Sequence, residues 1–401
     1  MKGRIYTLLP LIVFAVVVSA ADQRKKASKL ILEHADVLEG QRLGDREIRR
    51  LKGNVKFRQD SAILTCDEAV QYLSEGRTVL TGSVRFVDSS RTLSGDQVTY
   101  EEATRVTCIE GNAELSDASH RLRALRICYD DLTEKASAEG AAVLSNEKER
   151  TTIVGTRIEY DRRSGYARVI GKPQMTRVDS TDGGELIIRG VFFEMFEDGD
   201  RIVVSDSVLV LRGDLEARCD TLIYLRKENA VRLAHLPRVK QDRQRLTGSA
   251  VTLHLRDAQV TAIEIVGNAL AAAPVDSLVP VRTPFDLLSG EQMMVHLSDE
   301  QIDSVRITGR ATSYYHVIED GVEKGLNKVL GDTLFIAFKD RKIDRVRVAS
   351  SPAASKGEFS PPKILAKPEI ELQALISRLG MEAAENKRKK EAVISDEGSG
   401  S

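Results

Sequence analysis

Apolar and polar residues alternate along this chain in short stretches, and a glycine interrupts the alternation at regular intervals. Thr78, Leu80, Val84 and Phe86 share one parity with Gly82 between them, while Arg77, Thr81, Ser83 and Arg85 mostly fill the other. That is the signature of a strand with one apolar and one polar face. The pattern returns at Val231, Leu233, Pro237 and Val239, at Ile263, Ile265, Ala269 and Ala271, and with less bulk at Val305, Ile307, Ala311 and Ser313. Each such strand runs through its glycine. A glycine inside a strand often marks a bend or a close backbone approach.

The glycines form a repeat. Gly53, Gly82, Gly111 and Gly140 stand 29 residues apart, in the phrases Gly53-Asn54-Val55-Lys56-Phe57, Gly82-Ser83-Val84-Arg85-Phe86, Gly111-Asn112-Ala113-Glu114-Leu115 and Gly140-Ala141-Ala142-Val143-Leu144. A second alternating phrase follows a polar turn in each unit, as in Cys66-Asp67-Glu68-Ala69-Val70-Gln71-Tyr72 and Gly95-Asp96-Gln97-Val98-Thr99-Tyr100. Later anchors are Gly171, Asp206, His235, Gly267, Gly309 and Ser350, with polar insertions such as Asp179–Gly184 and Glu319–Lys328 stretching the spacing. Two strands and two turns per unit, at a fixed period, specify a stack of one supersecondary element. The expected fold is all-β: an elongated repeat β-jellyroll, a folded stack of antiparallel strands in about nine two-strand units, with a short C-terminal helix.

A sheet apolar on one face must bury that face. A glycine at the same place in every unit lets the whole sheet crease along one line. The glycine is expected mid-strand on the apolar side, with a shallower crease where Asp206, His235 or Ser350 replaces it. The expected inward face includes Val55, Phe57, Leu80, Val84, Phe86, Val98, Tyr100, Leu115, Ile158 and Tyr160. Small residues such as Ala113, Ala142, Ala269, Ala271 and Ala311 leave space in such an interior. Two readings stay open: a filled core, or an interior that takes a long apolar ligand.

Composition narrows the function classes. The chain has 401 residues, of which 42% are hydrophobic and 30% charged, enough for a sizeable core. A net charge of −1 gives no footprint for nucleic acid. Aromatics are 5% and Trp is absent, which disfavours sugar or base stacking. Lys2 and Arg4, the apolar run Ile5–Val18 and Val18-Ser19-Ala20 read as a secretory signal over 1–20, cleaved near Ala20, so that the mature protein is exported. Four cysteines, Cys66, Cys108, Cys128 and Cys219, fall at repeat phases that favour free, partly buried thiols over a disulfide framework. The histidines lack ligand spacing, and Asp67, Asp96, Asp220 and Asp332 recur at one repeat phase, which fits a turn or strand-entry role better than a catalytic site. No catalytic residue, metal site or cofactor is expected, and the chain reads as a non-enzyme.

The phrase Leu-x-Gly-Asn-Val-x-Phe at Leu51–Phe57, followed by Leu-x-Gly-Asp-x-Val-x-Tyr at Leu93–Tyr100, resembles the OstA/LptA family of the lipopolysaccharide export bridge, over about residues 30–350. The resemblance implies a β-jellyroll whose apolar groove shelters lipopolysaccharide or a similar lipid for delivery to the outer membrane. It also implies contact with other lipopolysaccharide-export proteins through terminal strands, and end-to-end self-association. The only residues it carries over are the inward apolar positions given above. This chain has more units than the short periplasmic member, and no barrel follows them. The competing readings are a structural or adhesive exported β-repeat protein with a filled core, and a carbohydrate-active enzyme on a repetitive β scaffold.

The expected organisation is a signal peptide at 1–20 and the repeat body at 21–350, as one body or as two lobes meeting near 176–205. A Pro/Ser-rich linker at 351–368 and a helix and disordered tail at 369–401 complete it. Leu372, Leu375, Ile376 and Leu379 carry the helical spacing, with capping of the stack or a frayed end both open.

Overall fold

The computed structural model describes residues 31–379 apart from short internal segments, the longest being 276–284 and 363–369. The expected signal peptide and the tail beyond Leu379 lie outside the described residues. The described chain is all-β, with antiparallel ladders and one α-helix, Ile370–Arg378. It divides into two compact units. Among the described residues, the N-terminal unit is 31–213 with Ile223–Lys227, and the C-terminal unit is Asp214–Leu222 with 228–379.

In the N-terminal unit, the strands Arg46–Gln59, Ala62–Tyr72, Arg77–Val87, Arg91–Glu101, Val106–Asp117, His120–Asp130, Lys135–Asn146 and Thr151–Asp161 run as successive hairpins. Each pairs antiparallel with the next. Polar turns close the hairpins. The backbone N–H groups of Ser119 and His120 both donate to Asp117 Oδ1, at 2.7 and 2.8 Å, an Asx turn.

Every second one of these strands, Arg46–Gln59, Arg77–Val87, Val106–Asp117 and Lys135–Asn146, carries two left-handed residues in its middle. At Gly82 φ is +77° and at Ser83 +46°, two left-handed residues in succession, and the register shifts between Thr81 and Val84 against both neighbours. The extra residue is a β-bulge. It divides the strand into two arms and keeps Leu80 and Val84 on the same inner face, both buried. Gly111 and Asn112 repeat it at +70° and +49°. A Cβ on Gly82 would collide with the carboxylate of Asp67, and one on Gly111 with that of Asp96. Both acids are exposed. The repeated glycine therefore lies on the outer side of the crease, under an acid from the neighbouring strand, and not on the apolar side as expected. Its left-handed backbone turns the missing side chain outward. Asn112 Nδ2 donates to Asp96 Oδ2 at 3.0 Å, and Asn54 Nδ2 to Asp36 Oδ2 at 3.1 Å. The recurring acid is thus part of the corner.

The crease also persists without glycine. Asp206 and Ser207 take φ of +64° and +55°, and His235 and Leu236 take +61° and +56°. A shallower bend at these two positions was expected. The neighbouring strands impose the same two left-handed residues, although a side chain makes that conformation costly. The inner side of the crease is crowded. A Cβ on Gly95 would meet Ile109 Cγ2, and Ala113, Ala142, Ala269 and Ala311 are fully buried beside their corners. Their small size fits a tight fold line, and it does not open space as the sequence reading supposed.

The C-terminal unit keeps the corner and lengthens the strands. Gln301–Glu319 has 19 residues and Val322–Lys339 has 18, bent at Gly309 and Arg310 on the former. Alternation sends Ala269 and Leu270 to opposite faces, yet both are fully buried. The reason is the helix. Leu372 and Leu379 are buried against Leu270, Phe285, Leu287, Tyr314 and Leu326, with Leu375 and Ile376 beside them. This arm is therefore covered on its outer face as well. The segment read as a linker holds a strand, Lys356–Ser360, which pairs with Leu326–Leu330. Its Gly-Glu-Phe-Ser sequence completes the edge of that arm although the flanking composition is Pro- and Ser-rich.

Two outcomes check this account. Gly111→Val should cost about 2 kcal/mol or more in denaturant unfolding, because a β-branched residue is placed at positive φ against Asp96. Gly40→Ala, which meets nothing within 4 Å, should stay near wild type. Asp117 is held below its ordinary value. Burial pushes it up, and the N–H groups of Ser119 and His120 and the His120 side chain outweigh that. Its contribution is present above about pH 4 and is lost as pH falls through the lower folded value. Asp117→Asn should therefore be less stable than wild type at pH 7, and the gap should close in acid.

Candidate functional site

The two arms of the N-terminal unit enclose an apolar cavity of about 320 Å³. One arm contributes Leu64, Phe86, Leu93, Leu115 and Leu122, and the other Val98, Ile109, Ile127, Ala138 and Ile158. Strand alternation brings these residues together. Phe86 pairs with Leu93, Leu115 with Leu122, and Ile109 with Ile127, each pair across one ladder rung. Thr107, Ser137 and Tyr129 supply the polar fringe. The Tyr129 phenol is pushed above its ordinary value, first by burial and then by the Asp131 carboxylate, with Arg162 opposing.

Of the ten residues expected to face inward, Phe86, Val98, Leu115 and Ile158 line this cavity. Val55, Leu80, Val84 and Tyr160 are buried in the same unit, and Phe57 is half-buried. Tyr100 departs from the expectation. It opposes Thr107 on the inner face but sits at the end of its strand beside the turn, where it is 39% exposed. Leu64, Leu93, Ile109, Leu122 and Ile127 complete the wall. Ile109 shares the parity of Leu115. On the intervening strands the inward positions change parity across the crease, as Leu93 and Val98 or Leu122 and Ile127 show, so one parity does not find them.

The expectation of free thiols fails for two cysteines. Cys108 and Cys128 are directly opposed across one hairpin and form a disulfide. Repeat phase was the wrong measure, because the two flank a hairpin turn and hairpin register decides which residues meet. Cys66 and Cys219 are free and buried, their thiols pushed up to about 11, chiefly by burial.

Outside, the arms carry cross-strand ion pairs. Arg123 Nε lies 2.7 Å from Glu114 and Arg126 Nε 3.0 Å from Glu110. Exposed pairs of this kind contribute ~0–1 kcal/mol each and chiefly keep the outer face wet. At the N-terminal edge, Leu32 faces Phe57 and Leu38 faces Leu51 on the inner side, both largely uncovered. In the C-terminal unit, Val346 and Val348 oppose Ile336 and Leu334 on the last strand of their arm and are likewise exposed. No helix among the described residues is long and apolar enough to cross a membrane.

Residues 27–159 match the family model described as OstA-like protein, so the resemblance read from the sequence is shown over that segment. Every residue lining the cavity falls inside it. No curated protein matches the chain. Among solved structures it is similar to LptH, the LptA homologous periplasmic component of the conserved lipopolysaccharide transport device from Pseudomonas aeruginosa. The identity is 17% over 29% of this chain and 82% of that one, with a TM-score of 0.26.

Filling the cavity tests its role. Leu122→Trp should weaken binding of a fluorescent long-chain alkyl probe at least tenfold while the far-UV spectrum stays that of the wild type. Arg123→Ala, on the outer face, should leave probe binding unchanged.

Proposed function

We propose that this protein is a non-enzymatic carrier that shelters the acyl chains of lipopolysaccharide, or of a similar lipid, between the arms of its creased sheet. The apolar cavity of about 320 Å³ in the N-terminal unit carries the reading. Hiding a methylene from water is worth about 0.8 kcal/mol, so a chain of a dozen carbons gains on the order of 10 kcal/mol by entering such a space. A wall made mostly of aliphatic side chains holds that chain without fixing it at one position. Hydrogen-bonding groups confined to the fringe, such as Tyr129 and Thr107, leave the middle of the wall free of sticky points. The coincidence of the cavity with the OstA-like segment supports the same reading. The protein is exported to the periplasm and delivers its lipid towards the outer membrane. Its exposed edges, with Leu32 and Leu38 on one and Val346 and Val348 on the other, join other export proteins or further copies of the chain by strand addition.

The test is photo-crosslinking in cells, with a photoreactive residue at Phe86 or Leu115 and a control at Arg123. Lipid adducts at the two inner positions and none at the outer one are expected. Protein adducts without lipid at Phe86 and Leu115 would overturn the carrier reading in favour of a structural repeat.

A further inference from the structure

The Cys108–Cys128 disulfide lies on two strands, Val106–Asp117 and His120–Asp130, already joined along their length by ladder hydrogen bonds. Closing a loop with a sequence separation of 20, the bond stabilises the fold by roughly 3 kcal/mol in the chain-entropy picture. Its surroundings suit another task. Ile109 and Ile127 face the cavity, so alternation puts both sulfurs on the outer side of the same arm. Cys108 is buried and Cys128 half-buried. Arg126 Nη2 lies 3.5 Å from Cys108 Sγ, while its Nε is held by Glu110. The flanking rungs present Thr99 and Ser137, which carry no charge. The two remaining cysteines, Cys66 and Cys219, are buried away from any exchange partner.

We propose that the Cys108–Cys128 disulfide is a thiol-exchange site addressed by a dithiol reductant, with Arg126 stabilising the departing Cys108 thiolate. The partner's first thiolate attacks Cys128 Sγ, on the less buried of the two residues. A bond forms between the partner sulfur and Cys128 Sγ, and the Cys108–Cys128 bond breaks. The electron pair goes to Cys108 Sγ beside the guanidinium. The partner's second thiolate then attacks its own sulfur in the mixed disulfide and releases the Cys128 thiolate. The partner is oxidised to its disulfide by two electrons, and the two cysteines take up those electrons and two protons. A thiolate is a better leaving group when a cation lowers its proton affinity, so Arg126 speeds the step and Glu110 opposes it.

The test uses the full-length folded protein, a small dithiol such as dithiothreitol, and alkylation followed by mass spectrometry. Cys108 and Cys128 should become labelled while the fold is intact by circular dichroism, with Cys66 and Cys219 protected until denaturation. Arg126→Ala should slow native-state reduction roughly three- to tenfold, and Glu110→Gln should speed it. A structural effect of either substitution, by loosening the same rung, would speed both. Labelling of Cys108 and Cys128 only together with Cys66 and Cys219, or a rate that Arg126→Ala raises or leaves unchanged, overturns the proposal. No lipid enters the assay, so its outcome is separate from that of the carrier reading.

Discussion

Two consecutive left-handed residues per unit hold this structure in shape. Every second strand makes the fold over its apolar face with a bulge that leaves the β region. At Gly82–Ser83 and Gly111–Asn112 the backbone crosses into positive φ for one bulge and then resumes the ladder. Leu80 and Val84 stay on one side of the sheet through the bend. The cavity exists because the arms on either side of this line face each other. Asp67 and Asp96, packed over the glycines, close the corner from outside.

The corner explains how the interior and exterior divide their work. At the crease Ala113 and Ala142 are fully buried, and Ile109 Cγ2 packs over Gly95. Phe86, Leu115 and Leu122 on one arm and Ile109 and Ile127 on the other wall the void between them. The exterior is polar and ion-paired in the N-terminal unit. In the C-terminal unit one outer face is apolar instead, and the helix Ile370–Arg378 covers it.

Much of this was legible in the sequence, because period-two alternation is a direct record of which face is buried. The repeat, the strand pairs, the polar turns and part of the cavity wall follow from it. What alternation does not record is backbone conformation at a single residue. Gly82 reads as part of the apolar stripe by position, yet its left-handed φ turns it outward. Nor does a repeat phase record hairpin register. Cys108 and Cys128 lie at equal distances from Ala118 in the turn, and that symmetry was the available signal of their pairing. The face that receives the helix was marked by adjacent apolar residues such as Ala269-Leu270, a break in alternation that sequence reading passed over. Tyr100 shows the remaining limit: parity gives a side, while distance from the strand end decides whether that side is covered.

The lengths of the strands have a consequence of their own. Bend and reach are independent variables in this architecture. The corner sets the angle between the arms, and residues can be added at the far ends without disturbing it, as the strands Gln301–Glu319 and Val322–Lys339 demonstrate against the 11 residues of Arg77–Val87. Evolution can therefore deepen or shorten one compartment of such a protein by hairpin insertions alone, leaving the fold line intact. Once an arm outgrows its partner, a separate cover such as a terminal helix becomes the natural supplement.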